Sequence, residues 1–491
     1  MYRVEKNVCV YCTNFTEKSE GGFPWHIIRY SSLIFCTIFL GEEIMEIGET
    51  ISLAFCIPFV GMLLSIAIFP LIAGEWWERN RKYMVIIWSL LFLIPFAARY
   101  SFGLMSETLL DIVINDYVPF IILLFGLFCV AGNISIKGNF TGSPKANFML
   151  LLVGTLLSGW IGTTGSSMVM IRPLIRANSW RKRKSHTVIF FIFLVSNIGG
   201  CLTPVGDPPL LMGFMREVPF FWSLRLFPIM ILNMAILLVV YFIFDMKAYR
   251  KDIAEGLAPE ILTGSSNKIK IEGIHNIIFL IMIVGAVILS GVLSHIPFFA
   301  GSVHIFGEVS LAWSTIIELV IILIAAYLSM KTTKKEVRVS NHFSWGAIQE
   351  VAVLFIGIFI TMEPALLVLE AHGTQLGLTQ PWQMFWATGA LSSFLDNTPT
   401  YLVFLTTAGT LGATSGIVTA VGTIAPIMLM AISCGAVFMG ANTYIGNAPN
   451  FMVRSIAERD GIKMPSFFGY MAWSVTFLIP VFIIDMLIFF L

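Results

Sequence analysis

Windows of about 20 predominantly apolar residues, the length that crosses a bilayer as a helix, recur along almost the whole chain. They lie at 51–73, 83–103, 276–294, 311–329 and 467–491, with weaker or shorter ones near 28–41, 117–131, 225–244 and 350–368. With 57% hydrophobic and only 12% charged residues over 491 positions, the chain lies outside the range of soluble domains. It reads as an all-α polytopic membrane protein. The basic residues are spread among short loops, so the net charge of +1 marks no patch for nucleic acid; membrane lipid is the expected surrounding partner. The first 27 residues carry Arg3, Glu5, Lys6, Glu17 and Glu20 without an apolar core or cleavage site, and read as a tail, not a signal peptide. Cys9 and Cys12 form a lone C-x-x-C, while Cys36, Cys56, Cys129, Cys201 and Cys434 fall in apolar segments. Neither pattern makes a metal site.

Lys and Arg favour cytoplasmic loops. The clusters are Arg79, Arg81 and Lys82; Lys137 and Lys145; "RKRK" at 181–184; Lys247, Arg250 and Lys251 with Lys268 and Lys270; and Lys331, Lys334 and Lys335. A simple up-and-down path carries "RKRK" to the wrong side, so the segment from about 148 to 178 must enter and leave on one face. It reads as two apolar arms of about a dozen residues around "GTTG", the length of a re-entrant hairpin. A second such shape spans about 378–409, around "DNTP".

With both hairpins in place the expectation is eleven spans, N-terminus inside. The divisions are a tail (1–27), an extra helix and acidic loop (28–50), a first repeat (51–244), a cytoplasmic linker (245–275) and a second repeat (276–491). Each repeat has three spans, a hairpin, a broken span and a span. Opposite starting sides make the repeats inverted, as in secondary transporters. At an offset of 240 residues the chain matches at Gly200/Gly440, Thr203/Thr443, Gly206/Gly446, Pro209/Pro449 and Met212/Met452.

Those matches fall on two breaks, "TPVGDPP" at 203–209 and "TYIGNAP" at 443–449. Gly199, Gly200, Gly206 and Gly446 permit close backbone approach, while Pro204, Pro208, Pro209 and Pro449 remove donors and stop helices. Unwound backbone persists at membrane depth only where protein, water or a ligand satisfies it. Asn197, Thr203, Asp207 and freed carbonyls offer the oxygen ligands an alkali cation wants, and half-helix ends add their dipoles.

Acids inside a membrane are functional candidates by default. The deepest are Asp207 and Asp396, the latter able to cap its returning arm instead. Glu363 and Glu318 lie within spans. Asp245 and Asp485, also 240 apart, sit near span ends where an acid reaches the interface. All seven histidines, His186 included, fall in loops or at span edges, so carboxylates are the proton carriers. A buried carboxylate that holds sodium or a proton, never both, is the core of an exchanger. Arg181, in a basic loop, is expected to tolerate alanine.

The motifs "IGTTGSSMVMIRPLIRAN", "SNIGGCLTPVGDPPLLMGF", "SSFLDNTPTYLVF" and "GNAPNFMV" resemble the NhaD-type sodium/proton antiporters, within the ion-transporter superfamily that also holds arsenite and citrate or dicarboxylate permeases. The resemblance covers about 50–491. It implies a scaffold, a mobile part carrying both hairpins and both breaks, and homodimers. Carried over, the site comprises Thr163 and Thr164 of the first tip; Asn197 and Asp207 of the first break; Asp396, Asn397 and Thr398 of the second tip; and Asn442 and Asn447 of the second break.

The reading is therefore a sodium (or lithium) exporter driven by protons through alternating access, in a bacterial inner membrane. It is no enzyme, and needs no cofactor or transition metal beyond the transported Na+ and H+. The alternatives within the superfamily are a sodium-coupled citrate or dicarboxylate transporter and an arsenite efflux permease. A fixed charge at Asp396 repels a carboxylate substrate at short range. An intramembrane aspartyl protease would need "GxGD" where this chain has "PVGD". A channel, which also uses broken helices, would show flux without gradient coupling.

Overall fold

Ten helices among the described residues are long and apolar enough to cross a membrane. The computed structural model describes residues 47–138, 141–257, 270–299, 301–341 and 343–491. The tail, the span near 28–41, the Cys9/Cys12 pair and linker residues 258–269 lie outside the described residues. Of the unit formed by residues 1–50, only 47–50 are described, as a helical turn. Residues 51–491 form the second unit.

The helices of this second unit run Ile57–Ile72, Gly74–Arg99, Phe102–Gly132, a hairpin (Pro144–Ile161 and Thr163–Ala177), a broken helix (Ser185–Leu202, then Pro208–Met215) and Phe227–Ala254. The same order returns as Asn276–Leu293, Trp313–Thr332, Gly346–His372, a hairpin (Pro381–Ser392 and Asn397–Gly409), a broken helix (Pro426–Met439, then Ala448–Arg459) and Phe467–Asp485. Short antiparallel pairs, 135–137 with 270–272 among them, are the only strands among the described residues. The chain is an all-α polytopic membrane protein.

Burial separates core from lipid-facing helices. The first broken helix is apolar all round and 94% of its Ser185–Leu202 window is buried, whereas Gly74–Arg99 is 22% buried. A helix without a polar face belongs at the centre. Ile57, Val60, Leu64 and Ile68, spaced for one helix face, are all exposed, which suits hydrocarbon, not water.

Three expectations need correction. The first hairpin arm has 18 residues, long enough to span, because Ser143 caps it and Pro144 starts it several residues ahead of the apolar run. The two arms nevertheless form a hairpin that is closed at its mouth, where Asn147 and Asn178 donate to each other's carbonyl oxygens at 2.9 and 2.8 Å. The linker does not begin at 245, since the preceding helix runs on to Ala254. That overrun brings Asp245 and Asp252 beside the "RKRK" loop, where both are fully buried, and Asp485 is equally buried against Asn233 at 2.8 and 2.9 Å. None of the three acids reaches an interface.

The two breaks share one backbone path. Thr203 and Thr443 are extended (φ −144 and −136), and Asp207 and Asn447 precede the restarted helices with φ −146, ψ 140 and φ −150, ψ 139. Each threonine hydroxyl donates to a hairpin carbonyl at 2.5 Å, Thr203 to Gly159 and Thr443 to Ser393. Glycine is required inside the loop. A Cβ on Gly206 would stand 2.3 Å from the Gly200 carbonyl oxygen, and one on Gly446 2.6 Å from that of Gly440. Because the opposing atom is backbone, Gly206→Ala should cost about 1–3 kcal/mol and lower the melting temperature of purified protein. Gly285→Ala, with open space around it, is the matched control; equal melting of the two variants would contradict the close-approach argument.

Candidate functional site

The first hairpin ends in "GTTG". Gly162, at φ 81, makes the reversal, and the Thr163 amide donates to the Gly206 carbonyl at 2.8 Å, seating the tip on the first break. The second hairpin turns at Asp396, whose Oδ1 accepts from the Thr398 amide at 3.1 Å. Asp396 thus does cap its arm, while remaining half-buried beside a small cavity of about 30 Å³ lined also by Thr164, Asn397 and Asn447. Leu124 and Phe355 of neighbouring spans complete the wall.

Asp207 stands at the centre, 1% exposed. Thr163 donates to its Oδ1 at 2.7 Å, Asn397 to its Oδ2 at 2.6 Å and Asn447 to Oδ1 at 3.4 Å. One acid therefore ties together both hairpin tips and both breaks. Asp207 and Asn447 are the pair 240 residues apart, so equivalent positions of the two halves meet. Among the described residues no ion pair involves Asp207 or Asp396. An ionised carboxylate buried without a cation is costly.

The compensation the protein does supply comes from backbone. Helices start at Thr163, Pro208, Asn397 and Ala448, with Thr164, Pro208, Asn397 and Ala448 on the cavity wall. Each N-terminus carries roughly half a positive charge, so four together are comparable with two carboxylates.

A chain of amides fixes the polarity. Asn450 donates to the carbonyls of Gly440 and Thr443, both at 2.9 Å, leaving its oxygen to accept from Asn197 at 2.7 Å. Asn197 also donates to the Ile192 carbonyl at 2.8 Å, so its own oxygen must accept from Asn447 at 3.2 Å. Asn447, which donates as well to the Ser196 carbonyl at 3.2 Å, keeps its Oδ1 free toward the cavity it lines.

The structure thus gathers Thr163, Asn197, Asp207, Asn397 and Asn447, with Thr164 and Asp396 on the adjoining cavity and Thr398 as partner of the Asp396 cap. Two further expected ligands also hold the fold: the Thr203 hydroxyl donates to the Gly159 carbonyl, and the Asn442 amide donates to Ser393 Oγ at 2.9 Å while its Oδ1 is buried without a partner; both fasten a hairpin to its break. Asn450 was missed at sequence level because its repeat equivalent is the apolar Leu210, although it stands inside the quoted "GNAPNFMV".

Arg181 is corrected too. It is among the largest fully buried side chains. Its guanidinium reaches Asp245 at 2.5 Å and Asp252 at 3.3 Å. His186, also buried, lies 2.9 Å from Asp245.

A comparison with curated proteins returns no match. The family model described as "Putative citrate transport" matches residues 48–490, a stretch that takes in both hairpins, both breaks and every residue of the site. That family is part of the ion-transporter group to which the motifs pointed. Its description names citrate and not sodium. The chain belongs to this citrate transport family, as a multi-pass integral membrane protein with a transport role.

Proposed function

We propose that the protein is an ion-coupled secondary transporter that exchanges sodium or lithium for protons, with the coupling ion held at Asp207 and Asp396. The observation that carries this reading is Asp207 itself, buried and bonded only to neutral donors, with a second acid nearby and no basic partner among the described residues. A proton or an alkali cation is the missing counter-charge. The Asn447 oxygen, the Thr164 hydroxyl and the Asp396 carboxylate supply oxygen ligands around one cavity. Alternating access would move the two-hairpin unit against the remaining spans, in a bacterial inner membrane with the N-terminus inside and as a homodimer.

The family match and the four convergent helix N-termini favour a second reading, transport of citrate. N-termini bind carboxylates, yet two aspartates repel a free tricarboxylate, so citrate would enter only with cations between. The two readings separate in proteoliposomes holding a trapped pH dye under an inward-acid gradient. Recovery of the dye on Na+ or Li+, and not on K+, citrate or arsenite, is expected. Citrate flux without a response to cations alone would replace the exchanger with the second reading.

A further inference from the structure

Arg216 closes the helix that follows the first break and forms a two-pronged ion pair with Asp116, Nη1 to Oδ1 at 2.9 Å and Nη2 to Oδ2 at 3.0 Å. The partners come from different parts of the molecule. Arg216 follows Pro208–Met215, the restarted helix of the site, whereas Asp116 lies in the span Phe102–Gly132. Asp116 is 7% exposed and sits in a π-helical stretch, Ile112–Tyr117, inside that span. Such widened turns re-aim side chains and recur at functional positions.

The turn holding Arg216 is strained. Glu217, next in sequence, has φ 70, the only non-glycine with positive φ among the described residues. A conformation of that kind costs of order 1–3 kcal/mol and lasts only while its surroundings enforce it. The Glu217 amide donates to the Phe214 carbonyl at 3.0 Å and the Val218 amide to the Gly213 carbonyl at 2.9 Å, the helix's own closing bonds. From outside, the turn is fastened by the Asp116 pair and by the Ala420 amide, which donates to the Arg216 carbonyl at 3.0 Å from the loop that follows the second hairpin. Asp111, Glu363 and Glu370 also interact electrostatically with Arg216, which makes it the cation of an acidic rim.

The pair lies well away from the cavity, at the far end of the helix that Pro208 starts on the cavity wall. Leu124, on the cavity wall, is eight residues beyond Asp116 in the same span, about 12 Å at 1.5 Å per residue. On Gly346–His372 the cavity takes Val351 and Phe355, while Glu363 lies two turns further on. The cavity ends of both spans point to the basic-loop face, where Arg176 donates to the Ile136 carbonyl at 3.0 Å and Phe128 packs on Phe343. The hairpins obey the same division. The first opens beside Arg181, and the loop after the second touches Arg216.

We propose that the Asp116–Arg216 pair is a latch that holds the side opposite the basic loops closed and must break each time the hairpin unit moves to open it. This rests on the alternating-access reading above but not on the identity of the solute. The π-helical turn presents the acid, the turn that closes the restarted helix presents the arginine, and rupture exposes an acidic rim that draws cations from that side.

The test uses the full-length protein in oriented proteoliposomes, with the transported solute presented at either face. Arg216→Gln and Asp116→Asn should each lower the apparent KM at the latch face and raise it at the basic-loop face, by about tenfold in their ratio. The swap Asp116→Arg with Arg216→Asp should bring the ratio back toward wild type, and a short bifunctional thiol reagent joining D116C to R216C should stop transport reversibly. Equal changes at both faces with no rescue by the swap, or transport that continues when the two positions are joined, would overturn the latch. Should sodium prove not to be carried, the same face asymmetry is read with citrate, so failure of the latch and failure of the exchanger remain distinct.

Discussion

Asp207→Asn is expected to remove at least about 100-fold of transport activity while leaving the protein folded. The fold survives because the asparagine can be seated in the existing bonds. Its oxygen takes the Asn397 donor that now reaches Oδ2 at 2.6 Å. Its amide then faces the Thr163 hydroxyl, 2.7 Å from the native carboxylate, which can rotate to accept. Only the long contact from Asn447, 3.4 Å, is left facing a donor. What is lost is the charge that holds a cation or binds a proton, at the one point where both hairpins and both breaks meet.

Asp207→Ala makes the contrast. It leaves two donors, the Thr163 hydroxyl and the Asn397 amide, without a partner, each costing about 1–3 kcal/mol when buried, and should damage folding as well as transport. Paired measurements of flux and melting temperature distinguish the two variants. Flux that persists in folded Asp207→Asn would remove this acid from the transport mechanism and leave Asp396 to carry it.

Asp207 was legible from sequence because three signals coincide there: an acid in an apolar run, flanking glycine and proline, and a partial copy 240 residues on. The amide network was less so. Asn397 and Asn447 fall on motifs that the resemblance marks, but Asn450, although it follows Pro449, has an apolar repeat equivalent. The Asp116–Arg216 pair is invisible in principle, since its members are 100 residues apart and each falls near a span end, where a charge normally reaches water. Thr203 has a role that sequence did not show: its place in a break suggests a ligand, and only the three-dimensional structure reveals that its hydroxyl also donates to a hairpin carbonyl.

The largest gap between sequence and structure is at Arg181, and it yields the other large expected effect. Four basic residues between two apolar segments look like a solvated cytoplasmic loop, so alanine there should be harmless. Instead Phe227–Ala254 overruns the apolar window by ten residues and lays Asp245 and Asp252 along the loop. Arg181 is drawn in between them, with further bonds to the Gly142 carbonyl and Asn178 oxygen at 3.4 Å and its cation over Tyr249 at 5.6 Å. The cluster joins the mouth of the first hairpin to the helix after the break. Arg181→Ala leaves Asp252 its contact with Arg183 at 2.7 Å and Asp245 its contacts with His186 and Asn147, so the loss falls at the lower end of the cost of breaking a buried pair, about 3 kcal/mol. That is still a large part of a marginal stability. The variant should be recovered in low yield and melt early, with its residual flux per folded molecule little changed, the reverse of the pattern at Asp207. Adding Asp245→Asn removes the unpaired charge, so the double variant should melt above Arg181→Ala alone; a double-mutant cycle without such coupling would show that Arg181 contributes packing and not charge.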